Sequence, residues 1–110
     1  MTKYIKIMEN GGQNTHIKIT FDYDLGGMNY FTGRTKKRGY YLTVYPVQRD
    51  GYMESFTAFT GVSECIQECT RKSTKAETAA REKIPAYEKI MVEYITKKYG
   101  YIIEGAQAWQ

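Results

Sequence analysis

The chain reads as an α+β protein: an antiparallel sheet of three to five strands over residues 3–60, packed on C-terminal helices over residues 62–99. Three observations carry this expectation. Ile17, Ile19, Phe21 and Tyr23 alternate with Lys18, Thr20, Asp22 and Asp24, the two-residue period of a half-buried strand. Tyr40, Leu42 and Val44 repeat that period against Tyr41, Thr43 and Tyr45. Beyond Gly61 the apolar spacing lengthens to that of a helix.

Taken in order, residues 3–8 form a short strand, closed by the turn-forming Asn10-Gly11-Gly12. Residues 15–24 form the first long strand. Met28 to Thr32 extends it past a bulge at Gly26-Gly27, which puts the basic run that follows at the tip of a long hairpin. The second long strand ends near Pro46. Gln48-Arg49-Asp50-Gly51 supplies an Asp-Gly turn, and Tyr52 to Thr60 is the returning strand. Val62, Cys65, Ile66 and Cys69 then recur at helical spacing for roughly two turns. Thr74-Lys75-Ala76-Glu77 matches a capping box, with Thr74 as the cap. Ala76, Ala79, Ala80, Ile84, Tyr87, Met91, Tyr94 and Ile95 continue one apolar face. Pro85 predicts a kink, or a break that opens a second helix, because proline lacks the amide donor and crowds the preceding turn. Gly100 ends the run, and the tail from Tyr101 to Gln110 is partly ordered by Ile102, Ile103 or Trp109. The expected core comprises Ile17, Ile19, Phe21, Leu42, Val44, Phe56, Ile66, Ala80, Ile84 and Met91.

Bulk composition narrows the class. A chain of 110 residues suits one domain, 1–110, and 42% apolar content can build a core, which excludes global disorder. The net charge of +4 and pI near 9.0 favour acidic partners. Eleven tyrosines suit strands and contact surfaces, each offering a large apolar ring with a polar tip. No stretch has the length of a signal peptide or a membrane span, so a cytoplasmic protein without membrane contact is expected. Cys65 and Cys69, four apart on a helix, read as free thiols, since that geometry disfavours a disulfide.

Catalytic chemistry finds little footing. His16 is the one histidine and stands at a strand start with no cysteine or serine near it in sequence. Asp22 and Asp24 share a strand face but offer too few oxygens for a divalent cation. Cys65, Cys69 and His16 match no zinc spacing, and Gly26-Gly27 lacks the lysine and hydroxyl of a phosphate-binding loop. The expectation is a protein that is not an enzyme and uses no metal or cofactor.

Binding has more to stand on. Arg34, Lys36, Lys37 and Arg38 lie between Tyr30 and Phe31 on one side and Tyr40 and Tyr41 on the other, with glycines at 26, 27, 33 and 39. Cations attract phosphate, and ring faces accept bases or guanidinium groups, so Tyr30, Phe31, Arg34, Lys36, Lys37, Arg38 and Tyr41 form a candidate partner-binding surface. The same composition also keeps a hairpin tip soluble and blunts a sheet edge. A second group, Arg71, Lys72 and Lys75, precedes or opens the long helix, where cations oppose the helix dipole. That placement makes sense if an anion docks at the free amides; a solvated face is the plainer alternative.

Two local resemblances add to this reading. Arg71-Lys-Ser-Thr-Lys-Ala-Glu-Thr-Ala-Ala resembles the start of the final helix of double-stranded RNA-binding domains, where a basic cluster precedes an Ala-Ala pair. That family's first helix has no counterpart here. Tyr23-Asp-Leu-Gly-Gly-Met-Asn-Tyr-Phe-Thr-Gly, followed by Arg38-Gly-Tyr-Tyr-Leu-Thr-Val-Tyr-Pro-Val-Gln-Arg, is similar to small proteins of bacterial phages and conjugative elements, a class that includes anti-CRISPR inhibitors. This second resemblance covers roughly residues 21–80. It implies a mobile-element protein in a bacterial cytoplasm that inhibits a host nucleic-acid-handling machine, such as a CRISPR effector, by occupying a binding surface. Its partner would be a host protein or ribonucleoprotein. The alternative is a small basic nucleic-acid-binding accessory or regulatory protein.

Overall fold

The structure, a computed structural model, describes residues 1–8, 14–55 and 61–110. Strands β1 (Thr2–Ile7), β2 (His16–Asp24), β3 (Gly27–Met28), β4 (Thr35–Lys36), β5 (Gly39–Asp50), β6 (Met53–Ser55) and β7 (Val62–Glu68) precede one helix, α1 (Thr74–Tyr99), and a last strand, β8 (Ile103–Ala106). The architecture is α+β. The main sheet is antiparallel, in the order β6-β5-β2-β1-β8, and β7 also pairs with β5. β3 and β4 form a separate two-stranded ribbon. Among the described residues the sheet thus has six strands rather than three to five, and one helix stands where several were expected. The expected Asn10-Gly11-Gly12 turn, the strand beyond Ser55 and core residue Phe56 lie outside the described residues.

β5 organises the sheet. Its twelve residues pair with β2 from Gly39 to Val47 along one edge. Along the other edge, Gly39 to Val44 pair with β7 and Gln48 to Asp50 with β6. Strict alternation divides the sheet into two faces. Ile5, Ile7, Ile17, Ile19, Phe21, Leu42 and Val44 are buried toward α1 together with Tyr40, Ile66, Ala80, Ile84, Met91, Val92 and Ile95. Ile17, Ile19, Leu42, Val44 and Ile95 have no exposed surface, and burying each such side chain stabilises the fold by about 1.5–3 kcal/mol. Every expected core residue among the described ones is buried.

The segment 62–68 corrects the sequence reading. It is a strand, and a β-bulge explains why it resembled a helix. Tyr41 pairs with Cys65 but Tyr40 pairs with Gln67, so Ile66 is an extra residue in the ladder. The bulge shifts the alternation by one residue, so that Ile66 and Cys69, three apart, both pack against the core, a spacing that mimics a helical period. Cys65 and Cys69 are therefore not on one helical face; both are free thiols.

α1 lies across β5 and β7. Its N-cap is Ser73 rather than Thr74: Ser73 Oγ accepts the Ala76 N–H at 3.1 Å. Glu77 pairs with Arg81 at 3.6 Å instead of closing a capping box. Pro85 neither breaks the helix nor opens a second one. It sits on the exposed face, where water can satisfy the carbonyl its missing amide leaves free. The helix ends at Gly100, whose N–H donates to Thr96 O. The tail continues the sheet: β8 pairs with β1, and Gln110 and Thr2 exchange two backbone hydrogen bonds at 2.8 Å.

Candidate functional site

The ribbon formed by β3 and β4 is a finger standing off the main sheet. Gly26 makes its base possible: with φ at 69°, a Cβ there would sit 2.5 Å from Lys36 O. Residues 29–34 form the tip. Asn29 organises it, its side-chain oxygen accepting the Phe31 N–H at 2.9 Å and the Thr32 N–H at 3.3 Å. Its backbone N–H donates to Arg34 O at 2.8 Å, and its carbonyl accepts the Gly33 N–H at 2.8 Å. This local capture of backbone amides by an asparagine side chain is what its chemistry favours in turns. Tyr30 and Phe31 are left fully in solvent, at 90% and 102% relative exposure. The tip therefore carries Tyr30 and Phe31 with Arg34 at its close, while Lys36, Lys37 and Arg38 lie on the returning strand and at the base rather than at the expected basic tip.

All four cations of the run are exposed, as are Tyr30 and Phe31, whereas Tyr41 is half-buried. The structure nevertheless divides the cations by what they touch. Lys36 Nζ donates to Asp24 Oδ2 at 2.7 Å and lies 4.4 Å from the Tyr41 ring centre. That lysine, and then the Gly26 N–H at 2.7 Å, hold the Asp24 carboxyl below its ordinary range. Arg38 braces the finger's base, with Nε donating to Leu25 O at 2.8 Å and Nη1 to Thr70 O at 3.5 Å. Lys37 approaches Glu68 at 3.9 Å with both side chains about 70% exposed, a contact worth little in water. Among the described residues, Arg34 has no side-chain hydrogen bond or ion pair. Tyr41 donates its hydroxyl to Lys37 O at 2.6 Å.

The second basic group lies at the same end of the molecule. β7 runs antiparallel to β5 and returns the chain from Val62 to Glu68, which pairs with Gly39. A Cβ at Gly39 would come within 2.2 Å of Gln67 O, so only glycine permits that approach. Cys69 N–H then donates to Arg38 O at 3.0 Å, and the Tyr40 hydroxyl reaches Ser73 O at 3.5 Å. Arg71, Lys72 and Lys75, all exposed, thereby emerge beside the base of the finger. Seven cations gather here with only a few carboxylates among them, Asp22, Asp24, Glu68 and Glu77, so positive charge is in excess at this end.

The opposite end of the sheet's open face is built differently. Arg49 lies 3.9 Å from the Tyr4 ring centre, Lys18 pairs with Glu54 at 2.7 Å, and the Tyr4 hydroxyl donates to the same carboxylate. Burial alone would lower the Lys18 pKa, but the Glu54 hydrogen bond and the neighbouring charges outweigh it and hold the ammonium well above its ordinary range. Burial and the charges of Arg49 and Lys6 push His16 below its ordinary 6.5. Asp22 and Asp24 do share the open face, but Asp24 is engaged by Lys36, and among the described residues no three potential ligands cluster. Among those residues, too, no helix is long and apolar enough to cross a membrane.

Comparison with protein-family models, curated proteins and solved structures finds no match for the chain.

Proposed function

We propose that this is a non-catalytic binding protein whose finger end holds a nucleic-acid backbone. The gathering of both basic clusters on that end supports this reading most directly, because phosphate contacts add together when they lie on one surface. Five of the seven cations, Arg34, Lys37, Arg71, Lys72 and Lys75, have no strong internal partner and are free for phosphate. Fluorescence anisotropy with labelled single-stranded and duplex oligonucleotides tests it. Micromolar or tighter binding near physiological salt is expected; the absence of binding to either form removes the proposal.

The projecting ribbon favours a second reading of biological role. A finger that stands off its sheet fits a cleft, and the same contact made on the guide or substrate strand of a host ribonucleoprotein would block that machine. A CRISPR effector is the example suggested by the resemblance to mobile-element proteins. Cleavage by a panel of effectors, with and without the protein, tests this role. No inhibition and no complex across the panel leaves the accessory nucleic-acid-binding role in its place.

A further inference from the structure

We infer that Tyr30 and Phe31 form a stacking platform for unpaired bases, so that the nucleic acid preferred by this protein is single-stranded. The inference rests on the proposed backbone contact and adds the part of the ligand that the tip would recognise.

The two rings do nothing for the fold. At 90% and 102% exposure they bury almost nothing, and leaving two aromatic rings in water forgoes the stabilisation that burial would give. Yet the loop that carries them is ordered by four hydrogen bonds to Asn29 and Arg34 backbone and Asn29 side-chain atoms. A preorganised loop loses less conformational freedom when a ligand docks.

Tyr4 and Tyr41 already carry a cation, whereas Tyr52, in the turn between β5 and β6, is as bare as the tip rings. Arg49 covers Tyr4 at 3.9 Å and Lys36 lies 4.4 Å from Tyr41. The tip rings have both faces open. Charge specifies what they meet. Arg34 is hydrogen-bonded through its carbonyl to Asn29, so its side chain starts beside the rings, and Lys36 and Lys37 follow on the returning strand. Aromatic faces flanked by cations suit a base and its own phosphate together, in a manner tolerant of sequence because every base has a π-face. A duplex hides those faces within its stack and must be unstacked to expose them, whereas a single strand offers them at once.

Binding of three twenty-residue probes by anisotropy, at one salt concentration, tests the inference: oligo(dT), an abasic strand of the same length, and a duplex. The wild-type chain is compared with Tyr30→Ala/Phe31→Ala, which removes no packing contact. Wild type should bind oligo(dT) about tenfold or more tighter than the abasic strand, a margin the double variant should lose while holding the abasic strand as before. Equal wild-type affinity for oligo(dT) and the abasic strand, or a margin retained by the double variant, overturns the platform and leaves the phosphate contact standing. Preference for the duplex, lost in the double variant, overturns the single-strand assignment and makes the tip a wedge. Failure to bind any probe overturns the backbone contact as well.

Discussion

The two ends of the open sheet face carry similar residues and use them in opposite ways. At the Tyr4 end, Lys18 and Arg49 are spent internally, on Glu54 at 2.7 Å and on a ring at 3.9 Å. At the finger end, Arg34, Lys37, Arg71, Lys72 and Lys75 are held by nothing of comparable strength, and Tyr30 and Phe31 are bare. Cations and tyrosines therefore do not mark a binding surface by their presence. What distinguishes the two ends is whether the fold supplies the cations' partner, since Tyr52 is bare at the Tyr4 end as well.

Charge reversal should separate the ends most sharply. Arg34→Glu, Lys37→Glu, Arg71→Glu and Lys72→Glu in one chain should weaken binding to a single strand by about a hundredfold or more, since each lost phosphate contact becomes a repulsion. Its melting temperature should stay close to wild type. Arg38 is left in place because it braces the finger's base through Leu25 and Thr70.

Lys18→Ala should do the reverse. It strips Glu54, whose side chain is 23% exposed, of its ion pair and should cost about 1 kcal/mol in urea denaturation, with oligonucleotide affinity unchanged. A variant at Lys18 that lost binding without losing stability would erase the contrast.

An effect of similar size is expected at the helix start that carries the second basic group. Ser73→Ala should cost about 1 kcal/mol by releasing the Ala76 amide, while Thr74→Ala should cost clearly less. The opposite ranking in denaturant melts would return the cap to Thr74.

The smallest concerns His16. Its imidazole takes up a proton less readily in the fold, so the unfolded chain binds the extra proton first as acid is added. Stability should fall as the pH drops below about 6.5 and stop falling, for this group, below the lowered folded value. His16→Gln should flatten that part of the stability profile. An unchanged profile would mean that neither burial nor the charges of Arg49 and Lys6 act on the ring.

Much of this was legible in the sequence where the two-residue period was unbroken. β2, β5 and their buried faces follow directly from alternation, and the exposure of the basic run and the helix stop at Gly100 are as expected. The bulge at Ile66 broke that period and disguised β7 as a helix. This error had a consequence for the site. With residues 62–69 read as a helix, nothing required Arg71 to lie near Arg38; with β7 paired to β5, the ladder brings them together. Arg38's brace and the Lys36–Asp24 pair were equally hidden, because they join residues across a turn whose path alternation does not describe. Asn29 carried a signal that was not used: an asparagine opening a glycine-bounded turn can hold the amides that follow it.

The central claim is that unpartnered cations gathered from both basic clusters contact phosphate, and the salt dependence of oligo(dT) binding tests it most directly. Measured from about 50 to 200 mM salt, log affinity should fall linearly with log salt, with a slope of about −3.5 if five phosphates are neutralised. Removing Arg34, Lys37, Arg71 and Lys72 together should bring the slope to about −0.7. A wild-type slope near zero, or one that the fourfold variant leaves unchanged, would contradict the account.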